Sequence, residues 1–125
     1  MRQRHLSDAG IKSEARRPLE SVLKAGQFII AWTKDVNENH LWADKQKRAA
    51  VERQFEVIAE ALRRLREVDP HTFQSLEDAD IAMRLGEAIR RDYDAIDYGI
   101  LWRATRKELP RMLQQVEHFL ARLGM

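Results

Sequence analysis

The stretch "VERQFEVIAEALRRLREVDP", residues 51–70, contains the clearest structural signal in the chain. Its apolar side chains recur at steps of three and four residues, which places them on one face of an α-helix. That face consists of Val51, Gln54, Phe55, Ile58, Ala61, Leu62 and Leu65. The pattern predicts a long helix over about residues 41–68, whose first part, "LWADKQKRAA", is less regular and could bend away from the rest. Asp69-Pro70 ends it, because the residue before a proline disfavours helical backbone angles.

A similar pattern precedes this helix. Pro18 suits the first turn of a helix, where its missing N–H has no partner to lose. Apolar residues then follow at helical spacing and predict a helix over about residues 18–36. Phe28 and Trp32 form a second apolar strip, so this helix should be buried on more than one side. The polar segment 35–40, "DVNENH", separates the two helices, since it is rich in residues that favour turns.

Two further helical patterns follow. They predict helices over about residues 78–91 and 97–123, and the connector 71–80 before them could form one helical turn. Pro110 lies inside the last pattern and should kink that helix or interrupt it locally. Four principal helices with short connections predict an all-α fold, an antiparallel bundle of four to five helices.

The composition indicates one helical domain in a chain of 125 residues. Residues 1–16 lack helical spacing and are expected to form a flexible tail, and residues 17–125 the helical domain. Apolar residues make up 44% and charged residues 34%, a balance typical of helices with one buried face. No apolar run approaches the length of about 18 residues that a membrane span requires, and the N-terminus lacks the apolar core of a signal peptide. A cytoplasmic protein without a membrane partner is therefore expected.

The residue types disfavour several kinds of catalytic site. The chain has no cysteine, so disulfides and thiolate chemistry are excluded. The histidines are far apart in sequence, at His5, His40, His71 and His118. None lies three or four residues from another, and the motifs of phosphate loops and serine hydrolases are absent. We therefore expect neither a metal site nor a bound cofactor.

Basic residues at the end of the third predicted helix have two interpretations. Arg84, Arg90 and Arg91 could form a solvated face, and arginines in a last turn also stabilise the helix dipole. They could instead bind phosphate oxygens through forked donors, while nearby aromatic rings stack on bases. The aromatic candidates for stacking are Tyr93, Tyr98 and Trp102. A tryptophan such as Trp102 is more commonly a core or interface residue. The net charge of +2 is too small to indicate whether the chain binds nucleic acid.

The order of features over residues 56–113 resembles the HepT-like branch of the HEPN proteins, and the similarity spans about residues 17–123. "VERQFEVIAEALRRL", residues 51–65, is similar to that family's second helix. The most specific resemblance lies in "YDAIDYGILW", residues 93–102, followed by the "LP" of residues 109–110 in the final helix.

The resemblance implies an all-α bundle that forms a homodimer. It also implies a metal-independent endoribonuclease that acts as the toxin of a toxin–antitoxin pair. The implied partner is a minimal nucleotidyltransferase of the MntA type, which attaches AMP to a tyrosine of the toxin and silences it. The tyrosine that matches in this chain is Tyr93.

The family's nuclease motif, R-N-x-x-x-H-x-Y, falls on "GEAIRRDY", residues 86–93. Gly86 replaces the motif arginine, Glu87 the asparagine and Arg91 the histidine, and the tyrosine alone matches. A metal-free ribonuclease needs a base for the 2′-OH proton and an acid for the leaving 5′ oxygen. Histidine can serve as either, whereas arginine stays protonated. The catalytic candidates are Arg91 and Tyr93, and the substrate-binding candidates are Arg84 and Arg90.

Three functions remain open. The first is a catalytically degenerate HepT-like protein that binds a nucleotidyltransferase, RNA or an active paralogue. The second is an active ribonuclease toxin with a rearranged site, to which Arg84, Arg91 and Tyr93 contribute. The third is a helical dimeric interaction protein without a toxin–antitoxin role.

Overall fold

The computed structural model describes residues 10–91 and 96–124, and in these two ranges every regular element is helical. The elements are a 3-10 turn (Ser13–Ala15), α1 (Arg16–Thr33), α2 (Glu38–Ala43), α3 (Lys45–Val68), α4 (Pro70–Ser75), α5 (Ala79–Arg91), α6 (Tyr98–Arg103), a π-helical segment (Ala104–Glu108) and α7 (Leu109–Gly124). The predicted all-α class is therefore confirmed. No helix in the described ranges is long and apolar enough to cross a membrane.

The principal helices form the predicted antiparallel bundle. Helix α3 packs against both α1 and α5, and α1 also packs against α7. Arg16, at the start of α1, donates to the carbonyl of Leu123 at the end of α7, with Nη2 and O 2.6 Å apart. The carbonyl of Thr33, at the end of α1, accepts a hydrogen bond from Arg106, which precedes α7. Helices α1 and α7 therefore run in opposite directions.

The core contains the face of α3 that the sequence predicts. Its buried residues include Val51, Phe55, Ile58, Ala61, Leu62 and Leu65, whereas Gln54 is partly exposed. Fully buried side chains from the other helices include Leu19, Ile29, Leu101, Met112 and Val116. Because removing apolar surface from water stabilises the folded chain by about 25 cal/mol per Å², this shared interior holds the bundle together.

The second apolar strip predicted on α1 is only partly buried. Trp32 packs against the core, but Phe28 is 39% exposed. The two rings stack on each other with their centroids 5.3 Å apart. One side of α1 therefore keeps an aromatic surface in contact with solvent.

The long helix predicted over residues 41–68 is interrupted at Asp44. This residue has extended backbone angles, with φ −93° and ψ 95°, and its carboxylate accepts from the N–H of Lys47 at 3.0 Å. Such an N-terminal cap satisfies a backbone donor that has no partner within the helix. Only residues 41–43 of the irregular first part belong to a separate helix, α2, which begins after the cap Asn37, whereas residues 45–50 belong to α3.

Asp69 ends α3, caps α4 and also binds the chain before α1. Its carboxylate accepts from the N–H and hydroxyl of Thr72, at 3.2 and 2.7 Å, and from the N–H of Lys12 at 2.9 Å. Burial by itself would raise the pKa of Asp69, but the hydrogen bonds from Lys12 and Thr72 outweigh burial and lower it. Residues 12–16, assigned from sequence to the flexible tail, are structured, because Ala15 is fully buried. Residues 1–9 lie outside the described residues, so the tail remains a prediction there.

The interruption predicted at Pro110 is a π-helical turn, Ala104–Glu108, just before it. Proline has no N–H for an α-helical hydrogen bond and its ring crowds the preceding turn. A wider turn relieves both constraints without ending the helix. Helices α6 and α7 therefore continue one another.

Candidate functional site

The predicted site residues lie on and just after α5. This helix buries Ala79, Ala82, Met83, Leu85, Gly86 and Ile89, and it exposes Arg84, Arg90 and Arg91. Tyr93 lies outside the described residues, so its predicted roles in catalysis and in AMP attachment remain predictions.

Gly86, at the position of the motif arginine, is a contact point between two helices. A β-carbon at residue 86 would lie 2.5 Å from Cβ of Ala59 and closer still to the carbonyl oxygen of Phe55. Both distances are far shorter than van der Waals contact, so any larger residue would require the backbones of α3 and α5 to move apart. The position at which the resemblance places the motif arginine therefore lies in a close contact between two helices.

Glu87, at the position of the motif asparagine, is neutralised by α3. Its Oε2 lies 3.1 Å from Nη2 of Arg63, and only about a quarter of each side chain is exposed. Arg63 also donates to Glu60, with Nη1 and Oε1 2.6 Å apart. The hydrogen bond to Glu87, and then the one to Glu60, raises the pKa of Arg63. The carboxylate of Glu87 therefore does not stand alone beside the candidate site.

The three candidate arginines do not converge on one point. Arg84 and Arg91 are seven residues apart, which places them on the same exposed side of α5 and about 10 Å apart along its axis. Arg84 pairs with Asp80, with Nε and Oδ2 3.0 Å apart, and both side chains are exposed. Arg90 instead lines a groove with residues of α1 and α3. The predicted substrate-binding pair of Arg84 and Arg90 is thus divided between two surfaces.

Neither His71 nor His118 replaces the missing motif histidine. His71 lies on α4, and His118 lines a cleft with Glu77 and Arg111. Both belong to the end of the bundle where α5 begins, whereas Arg91 is about 18 Å further along that helix. Within the two described ranges, no three histidine, aspartate or glutamate side chains are grouped so that they could hold a metal ion.

Two of the three aromatic residues predicted to stack on bases, Tyr98 and Trp102, are engaged within the chain. The ring of Trp42 lies 4.7 Å from that of Tyr98 and 6.4 Å from that of Trp102. The guanidinium groups of Arg48 and Arg106 lie 5.4 and 4.4 Å from the rings of Tyr98 and Trp102. These contacts join α2 to α6 and use ring faces that base stacking would need.

A groove between α1, α3 and α5 brings together Arg90, a predicted substrate-binding residue, and basic residues of α1 and α3 that were not predicted to lie beside it. It consists of two adjoining cavities of about 610 and 350 Å³, both lined by Ser21 and Arg64. Arg17 and Lys24 line the larger cavity and Arg90 the smaller. The sequence signal was present only as basic residues on three separate helices, and the antiparallel packing of those helices was needed to join them.

Comparisons with known proteins relate the whole bundle to one family. The family described as Ribonuclease HepT-like matches residues 19–119. Similar proteins include two of Methanocaldococcus jannaschii, each named as a "putative RNase". One is 27% identical over 106 residues, covering 85% of this chain and 96% of the relative, and the other is 28% identical over 109 residues, covering 87% and 89%.

A protein of Caldanaerobacter subterraneus subsp. tengcongensis with the same kind of name is 26% identical over 102 residues, which cover 82% of this chain and 90% of the relative. No solved structure matches the chain.

Proposed function

Because this chain belongs to the Ribonuclease HepT-like family, we propose that it keeps the family's bundle and acts by binding, without the motif's nuclease chemistry. The packing of Gly86 against Phe55 and Ala59 is the observation that supports this most directly. The motif arginine has no equivalent there, and no neighbouring side chain can enter the space that α3 occupies.

The acid–base chemistry of metal-free RNA cleavage points the same way. One group must take the 2′-OH proton and another must protonate the leaving oxygen, and both need a pKa near neutrality. Arg91, at the position of the motif histidine, stays protonated and cannot act as the base. An exposed guanidinium can still bind a phosphate or a carboxylate, so Arg91 can take part in binding an anionic partner.

The proposed role is that of a toxin–antitoxin protein that binds a minimal nucleotidyltransferase of the MntA type or RNA, as a homodimer. The exposed side of α5 supports a binding role. It presents Arg84 and Arg91 together with Ile81, which is 41% exposed. A surface with exposed guanidinium groups and an exposed apolar residue beside them suits protein or nucleic-acid association.

A cleavage assay tests the proposal. Purified protein is incubated with tRNA and mRNA without metal, beside pancreatic ribonuclease as the positive control. We expect intact RNA, together with co-purification of a minimal nucleotidyltransferase of the MntA type that is co-expressed with the protein. Cleavage that disappears in Arg91→Ala would overturn the proposal. A stable dimer that binds neither RNA nor the nucleotidyltransferase would instead favour a plain interaction protein.

An active ribonuclease with a rearranged site is the second candidate. The observation that favours it is the placement of Arg84 and Arg91 on one exposed side of α5, two turns apart. Cleavage in the same assay, lost in both Arg91→Ala and Tyr93→Phe, would support it. In either case, an MntA-type enzyme with ATP is expected to attach AMP to Tyr93, and the mass increase should be absent from Tyr93→Phe.

A further inference from the structure

The groove between α1, α3 and α5 lies on another side of α5 than Arg84 and Arg91. Successive residues turn by about 100° along a helix, so Arg90 lies on a different side of α5 from Arg91. Along α3 the groove extends from Arg53 to Val68, a length of about 22 Å. It is therefore a second basic surface, distinct from the candidate motif site.

The charges that line the smaller cavity do not cancel. Its two acidic residues are already paired, Glu56 with Arg53 at 3.4 Å and Glu60 with Arg63 at 2.6 Å. Among the residues that the structure describes, Arg64 and Arg90 have no hydrogen-bond or ion-pair partner. Two exposed guanidinium groups without partners among the described residues thus line one concave surface, where an anion could bind between them.

The larger cavity extends this surface at lower net charge. Arg17 and Lys24 are also without partners among the described residues, and Glu14 and Glu20 line the same cavity beside them. Arg64 lines both cavities and joins them. The cationic character is therefore concentrated between Arg64 and Arg90 and weakens towards Arg17.

We propose that this groove binds the phosphate backbone of single-stranded RNA through Arg64 and Arg90, by charge and without base stacking. The proposal rests on the binding function proposed above. The forked donors of arginine match phosphate oxygens. Among the described residues no aromatic side chain lines either cavity, whereas proteins that stack single-stranded bases use aromatic platforms. Recognition by charge alone is indifferent to base sequence.

Fluorescence anisotropy with labelled oligouridine and oligoadenosine of equal length tests the groove. Arg64→Ala and Arg90→Ala should each weaken binding about threefold to tenfold at low salt, equally for both oligonucleotides. Each should also lower the slope of log K against log salt by about 0.7. Lys107→Ala removes one exposed charge outside the groove and is the matched control, with slope and affinity close to those of the parent. Thermal melting confirms that each variant is folded.

The outcomes separate this proposal from the proposed function. Unchanged affinity and slope in Arg64→Ala and Arg90→Ala overturn the groove, whether or not the protein cleaves RNA. A loss that differs between the two oligonucleotides overturns recognition by charge alone. If RNA does not bind and Arg64→Ala instead weakens the nucleotidyltransferase complex, the groove is a protein-binding surface and the RNA proposal is overturned. Cleavage of RNA bears only on the proposed function.

Discussion

Gly86 lies against the main chain of Phe55 with no room for a β-carbon between them. Helices α3 and α5 therefore meet backbone to backbone at the position where the family's motif has its arginine. This contact supports the proposed degeneracy of the motif, because one residue cannot both close a helix interface and extend a guanidinium into a cleft.

Replacement of Gly86 by alanine should destabilise the protein. The added methyl group meets the Phe55 carbonyl and Cβ of Ala59, and such overpacking costs about 1–3 kcal/mol. This cost should exceed the gain of about 1 kcal/mol that alanine brings to a helix. Urea unfolding measures the difference. Gly124→Ala is the control, since a β-carbon there meets no atom within 4 Å, and equal stability of the two variants would contradict the prediction.

Rebuilding the motif should fail at Gly86 and not at Arg91. Arg91→His changes an exposed side chain, so its free energy of unfolding should stay within about 0.5 kcal/mol of the parent. Gly86→Arg should prevent cooperative folding, because the side chain enters the α3–α5 contact. Melting curves of the two single variants and of the double variant check this. A folded double variant that cleaves RNA would show that the interface can open to admit the arginine.

Asp69 should make stability depend on pH in the acid range. Its pKa is lowered in the folded state, so its contribution is present above the unfolded pKa of about 3.9 and is lost as pH falls through the folded value. Asp69→Asn leaves buried donors of Lys12 or Thr72 without an acceptor and should cost about 1–2 kcal/mol at neutral pH. The difference from the parent should shrink below about pH 4. Asp35→Asn, an exposed change, is the control, and a difference independent of pH would refute the charge-based explanation.

Arg106 should contribute to stability through its shape as well as its charge. Its Nη2 donates to the carbonyls of Thr33 and Val36, at 2.8 and 2.6 Å, and its guanidinium lies over Trp102. Arg106→Ala should cost about 1–2 kcal/mol, since the end of α1 loses its partners. Arg106→Lys should recover only part of this free energy, because the ammonium group of lysine lacks the planar, forked donors of a guanidinium. Chemical unfolding beside Lys107→Ala tests this, and full recovery by lysine would show that charge alone matters.

Helical periodicity predicted the class, the principal helices and the core face of α3, because one buried side per helix leaves a regular pattern in the sequence. Helical periodicity did not predict the break at Asp44, because α2 and α3 each continue a helical pattern and a single capping carboxylate separates them. The order within residues 12–16 also escaped it, because it depends on a hydrogen bond from Lys12 to a distant residue, Asp69.

The candidate site was only partly predictable. Resemblance suggested the motif segment, and that assignment stays a prediction. The role of Gly86 is a close approach between two main chains, which leaves no periodic pattern in the sequence. Pairing of Glu87 with Arg63 spans 24 residues and two helices, so it too required the fold. The groove at Arg64 and Arg90 arises from helices that are separate in sequence, and no local pattern marks it.

The π-helical turn before Pro110 has a consequence for the length of the last helix. Leu101, Thr105, Leu109 and Leu113 are all buried at four-residue steps, which in an uninterrupted α-helix would drift by about 40° per step. The wider turn takes up one extra residue, so these four buried side chains stay on one side of the helix. Loss of a residue there would leave α7 in phase with α6, whereas gain of one would rotate α7 by about 100° and turn Met112 and Val116 out of the core. At this point a shorter chain keeps the orientation of α7, whereas a longer chain does not.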